Sequence, residues 1–198
     1  MHLLDDPHEA EPGPTEKRRS APDRPRAWLA VLAAASLAPC PVAAQGIRPS
    51  QHGTVSQRVG HTDIAIVYNR PVARGRTLFG DGGVVRSGRV WNPGADSATT
   101  ISFSRDVRID GEDVRAGRYT LWMIPASERW TVILSRAVDV FHTPYPGEGQ
   151  DALRFSVAPE HGSHMDVLAF YFPVVAADSA VLRLHWGETI VPITIRTR

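Results

Sequence analysis

At 198 residues the chain is long enough for one domain plus a targeting segment, and short for two domains. Its hydrophobic fraction of 42% supplies a core, and a formal net charge of +1 gives no global field that would call for nucleic acid. One cysteine, Cys40, excludes an intramolecular disulfide and a cysteine-based metal site.

Residues Met1 to Arg26 are polar, with Lys17, Arg18, Arg19, Arg24 and Arg26 towards the end. An uncharged run of 12 residues, Ala27 to Ala38, follows, and Pro39 and Pro41 then interrupt any helix. Val42-Ala43-Ala44 places small residues where signal peptidase requires them. A basic region, a short apolar run and a small-residue site make an export signal, and the run is too short to cross a hydrocarbon core of about 30 Å comfortably. The expected organisation is a tail and signal peptide over 1–44, cleavage after Ala44, and an exported domain over 45–198, periplasmic or extracellular. Leu37-Ala-Pro-Cys40 outlines a lipoprotein box, with Pro39 a poor fit before the cysteine. Arg18-Arg19 lacks the apolar residues that follow a twin-arginine pair. Export does not require residues 1–16, which leaves open an initiation site downstream of Met1.

Beyond Gln45 the chain carries 17 Arg, no Lys and 15 acids, a near-neutral balance. Asp63 to Tyr68 alternates so that Ile64, Ile66 and Tyr68 share a face, and Ala98 to Phe103 does the same with Thr99, Ile101 and Phe103. Val107–Ile109 and Glu112–Val114 flank Asp110-Gly111, a tight-hairpin signal. Arg118–Ile124 and Trp130–Leu134 form another hairpin around Pro125 to Arg129; the first of these carries large apolar groups on both faces. Strands at Asp151–Val157, Val167–Val175, Ala180–Trp186 and Ile190–Ile195 follow. With no long helical period, and with 16 Gly and 16 Pro as punctuation, the pattern predicts an all-β, single-domain, jelly-roll-like β-sandwich. Its core is expected to bury Ile64, Ile66, Ile101, Phe103, Leu121, Val132, Leu134, Phe170, Phe172, Leu182 and Leu184. Tyr119, Trp122, Trp130 and Trp186 lie in strands and belong to the core more readily than to a sugar platform.

Tyr68-Asn-Arg-Pro71, Gly75-Arg-Thr-Leu-Phe-Gly80, Val90-Trp-Asn-Pro-Gly-Ala95, Ala98-Thr99 and Ala116-Gly-Arg-Tyr119 occur in order. Trp130-Thr-Val-Ile133 and Ser179-Ala-Val-Leu-Arg-Leu-His-Trp186 complete the series. As a set, spanning about Ser50 to Ile195, they resemble a family of secreted bacterial proteins, domain of unknown function 2911. The resemblance implies export and a β-sandwich and supplies no reaction. Asn92 stands where the family pattern usually has Arg, and Asp96 where it usually has Asn, so a ligand touching them would differ here.

The connection from Tyr68 to Ala98 combines Arg70, Arg74, Arg76, Arg86 and Arg89 with repeated glycines. Long connections in compact domains are uncommon and often functional. Arg forks match carboxylate, sulfate or phosphate, and Trp91 offers an aromatic face. The candidate ligand site is Tyr68, Arg70, Arg76, Trp91, Asn92 and Asp96; the alternative is that these Arg pair with acids and Trp91 plugs the sandwich end. His161-Gly-Ser-His164 with Asp166 could hold zinc if His142 or His185 came close, but Pro159 and the Gly-Ser pair suggest a polar hairpin tip, so no metal site is predicted. Gly80-Asp-Gly-Gly83 lacks the context of a phosphate loop, no nucleophile elbow is present, and no cofactor is implied. The favoured function is a cell-envelope binding or interaction module for a small anionic or sugar-like ligand, or for an envelope protein partner. Alternatives are an accessory subunit of a membrane-associated complex, with peripheral membrane contact, and a hydrolase with a site near loop 70–96.

Overall fold

The structure, a computed structural model, describes residues 48–198. The expectations for the export signal, for Cys40 and for a start at Gln45 lie outside the described residues. The chain divides between Ala44 and Gln45 into two units, and all described residues belong to the second.

Ten strands follow in order: β1 (Gln51–Val59), β2 (Thr62–Arg70), β3 (Thr100–Phe103), β4 (Val107–Ile109), β5 (Glu112–Val114), β6 (Gly117–Ile124), β7 (Trp130–Ser135), β8 (Asp151–Val157), β9 (Glu160–Val175) and β10 (Ser179–Thr197). They form two antiparallel sheets, a six-stranded one in the order β1-β2-β3-β6-β7-β8 and a four-stranded one in the order β5-β4-β10-β9. This is a β-sandwich. Between the sheets, alternate residues of each strand interdigitate: Ile64, Ile66 and Tyr68 of β2, Ile101 and Phe103 of β3, and Tyr119, Leu121 and Met123 of β6 meet Leu168 and Phe170 of β9 and Leu182 and Leu184 of β10. Burying such side chains contributes about 1.5–3 kcal/mol each, the main favourable term of the fold.

β6 resolves its own ambiguity by burying both faces. Tyr119, Leu121 and Met123 enter the main core, while Trp122 joins Ile133 and Ala98 in a second cluster on the outer face of the large sheet, beneath Val90, Ile124, Val140 and Tyr145. The indole N–H of Trp122 donates to Thr120 Oγ1 (2.9 Å), so this polar atom is not stranded.

The turns obey backbone sterics. Asp110 and Gly111 both have positive φ (51° and 83°), as a two-residue type I′ hairpin between β4 and β5 requires. Ala180, Leu182, Leu184 and Trp186 are buried in the first half of β10, and Val191, Ile193 and Ile195 in the second. The phase changes at bulges around Gly187, so what reads as two strands is one strand of 19 residues.

Two expectations need correction, and one strand was not anticipated. Phe172 is only partly buried, because β9 runs past the edge of the core there. His161 and His164 lie within β9, not on a hairpin tip, and Gly162 between them lets the strand pass close to Ile190. β1 has no counterpart in the sequence reading: its inward positions include Gly53 and Gln57, so the apolar alternation that marks a strand is missing.

Candidate functional site

The connection between β2 and β3 is ordered by its own backbone. Pro71 ends β2, Val72 bridges to Val167 of β9, and Ala73 N–H donates to the Asp166 carbonyl (2.7 Å). The chain then reverses over Ala73–Arg76, closed by Arg76 N–H to the Ala73 carbonyl (3.1 Å), with Arg74 (φ 53°) and Gly75 (φ 70°) both left-handed. An arginine in that region is uncommon. Arg74 is held there by its N–H, which donates to Asp166 Oδ1 (3.1 Å).

Further along, Trp91 pairs through its backbone with Met123 of β6, both N–H···O distances being 2.8 Å. That registration turns its side chain inward to an aromatic cluster: Trp91 stacks on Trp186 (centroids 6.1 Å, 14° between planes), and Phe79 and Trp130 meet it edge-on. The Trp186 indole N–H donates to the Asp166 carbonyl (3.2 Å). Trp91 nevertheless remains partly exposed, and with Trp186, Pro71, Val84, Arg74 and Arg76 it lines a recess of about 270 Å³.

The electrostatics of the recess are one-sided. Arg76 Nε donates to the Ala73 carbonyl (2.9 Å) and its Nη2 to the Val72 carbonyl (2.7 Å). These two bonds fix the guanidinium plane and leave its Nη1 donors without a partner among the described residues. The Arg74 guanidinium makes no hydrogen bond among the described residues. Eight other arginines, including Arg48, Arg118 and Arg183, have carboxylate partners within 4 Å; among the described residues Arg70, Arg74, Arg76, Arg86 and Arg89 have none. Neither a carboxylate nor an imidazole lines the recess.

The family model described as protein of unknown function (DUF2911) matches residues 50–195. The chain belongs to the DUF2911 family. No curated protein and no solved structure matches it.

In this DUF2911 protein the expected site residues separate into three groups. Arg76 and Trp91 share the recess. Tyr68 and Asn92 are internal: Tyr68 packs edge-on against Phe170 (4.9 Å) and its hydroxyl accepts from the Phe170 N–H (3.2 Å). Asn92, 1% exposed, donates through Nδ2 to the Leu121 carbonyl (2.8 Å) and accepts at Oδ1 from the Thr99 N–H (3.0 Å). Its amide is occupied in joining the loop to β6 and to Thr99, just before β3. Gly94 completes that joint, since a Cβ there would lie 2.5 Å from Thr99 Oγ1. Arg70 and Asp96 point to other duties. Arg70 Nε donates to the Leu168 carbonyl (3.2 Å) across the sandwich edge. Asp96 pairs with Arg48 (3.3 Å), and its carbonyl accepts from both the backbone N–H (2.9 Å) and Nδ1 (2.8 Å) of His142.

The residue that sequence reasoning passed over is Arg74. Its signal was the Arg-Gly pair three residues after a strand-ending proline, which places a long cation at the tip of a tight turn. The histidine segment assembles no metal centre: His161 Nε2 faces Glu188 (3.2 Å), and among the described residues no three His, Cys, Asp or Glu side chains converge.

Proposed function

We propose that this DUF2911 protein is an exported binding module of the cell envelope, taking a small anionic ligand, such as a phosphate, sulfate or sugar acid, in the recess beside Trp91. The observation that carries this reading is the pair Arg74 and Arg76, two cations at one recess whose lining includes no carboxylate among the described residues. Both arginines are exposed, so their free guanidinium donors are open to an anion, which they would hold through forked hydrogen bonds. A volume of about 270 Å³ lies just under the range of drug-sized pockets and suits a head group or a single acidic sugar. The hydrolase reading has no such support, because no nucleophile–base pair lines the recess.

The test is titration of the protein with inorganic phosphate, sulfate and glucuronate at low ionic strength, followed by tryptophan fluorescence. Saturable change is expected for at least one of the three, weakening as salt is added. Replacing Arg74 with Gln should weaken that binding by about 1.5–3 kcal/mol, the loss of a charged hydrogen bond, with thermal stability unchanged. An unaltered affinity in the variant rejects the site. Arg76 is the poorer probe, because it also closes the 73–76 turn.

A second reading rests on Val174 and Val175, which are 56% and 45% exposed beside the β9–β10 turn. They favour contact with an envelope protein partner or a membrane surface, the accessory-subunit role.

A further inference from the structure

The outer face of the large sheet is covered on only one half. Trp122 and its cluster lie over β6 and β7. The other half, where Val67 of β2 and Thr100 of β3 sit opposite one another, carries no such cover among the described residues. Beside it stands a wall formed by two loop segments, 95–98 and 139–142. Ala98 N–H donates to the Val140 carbonyl (3.0 Å), Ser97 bridges to Phe141, and His142 holds the Asp96 carbonyl from its backbone and its ring. Sheet and wall enclose a groove of about 720 Å³, within the range of organic-ligand sites.

We propose that this groove is a second binding site and that its ligand is a neutral saccharide. Three features select that chemistry. Phe141 projects from the rigid wall with 55% of its surface exposed and lines the groove together with Val67, 38% exposed. An exposed ring on a fixed backbone is a platform for the apolar face of a sugar ring. The charges are balanced in place: Arg118 pairs with Asp139, and Arg48 with Asp96. A guanidinium and a carboxylate held side by side offer adjacent donors and acceptors, as vicinal hydroxyls require, without a net field to attract an ion. Asn69 spends Nδ2 on the Ala95 carbonyl (2.8 Å), leaving its Oδ1 as a further acceptor at the groove. Asp139 itself sits at φ 58°, an uncommon conformation for a non-glycine residue that the surrounding contacts maintain.

The site differs from the recess at Trp91 in residues and in charge, so the two readings fail separately. Isothermal titration calorimetry of the protein against maltohexaose, cellohexaose and N-acetylchitohexaose tests it. At least one is expected to bind, with an affinity that persists in about 1 M salt, where exposed charge interactions are screened. Replacing Phe141 with Ala should weaken that binding about tenfold while the melting temperature stays the same. Arg118→Gln should weaken it too, and Arg74→Gln should leave it unchanged. Absence of binding by all three saccharides at millimolar concentration, an unaltered affinity in Phe141→Ala, or loss of binding in salt overturns the proposal.

Discussion

Asn92 illustrates why a polar residue in a functional-looking motif needs its environment before it needs a ligand. Flanked by Trp91 and Pro93 in a glycine-rich connection, it reads as a recognition amide, yet both ends of that amide are consumed by the Leu121 carbonyl and the Thr99 N–H. Removing it would leave a buried acceptor and a buried donor unpaired, at about 1–3 kcal/mol apiece. Asn92→Ala should therefore lower the urea midpoint by an amount equivalent to roughly 2–6 kcal/mol. A loss below the lower bound would mean that water or a shifted loop satisfies those groups. Arg74 is the opposite case: its side chain makes no hydrogen bond within the described residues, so its cost falls on binding alone.

Among the elements, the connection between β7 and β8 is tied down by one ionic knot. Tyr145 packs edge-on over Trp122 (5.4 Å) and its hydroxyl donates to Asp151, which also accepts from Arg154. Burial first, and then the Asp151 hydrogen bond, push the Tyr145 phenol above its ordinary value. The folded state thus retains the proton more tightly than the unfolded chain. Stability from this source is present in full below about pH 10 and is lost as the pH rises through the folded value. In Tyr145→Phe the urea midpoint should be lower at neutral pH and should fall less steeply between about pH 9 and 11. Parallel slopes for the two proteins would show that Tyr145 does not govern the alkaline loss. At this scale the sequence was legible wherever one face was apolar: β2, β3 and β8 follow from alternation. It failed where the inward face is filled without apolar residues, as in β1, and where a bulge resets the phase, as in β10. The recess was half legible. Arg76 and Trp91 could be paired from chemistry alone, but Phe170 and Leu168 of β9, which bond Tyr68 and Arg70, and Leu121 of β6, which bonds Asn92, are far away in sequence.

For the whole molecule, the proposal of export predicts a mature chain beginning at Gln45. Intact-mass measurement of protein from its native envelope should show loss of residues 1–44; a mass retaining 27–44, or an acylated Cys40, would contradict it. The sandwich also distributes mutational freedom unevenly. A strand with one wet face leaves every second position open to drift, but Tyr119 to Met123 of β6 are buried without interruption. That strand has no silent side. It carries the backbone partner of Trp91 at Met123, the anchor of Asn92 at Leu121, and, at its exposed start, Arg118. Variation that alters what the protein binds must therefore collect at the loop tips around 74–76 and 139–141, where a new side chain changes the ligand and leaves the frame intact. An engineer seeking new specificity on this scaffold would randomise those two tips and hold β6 constant.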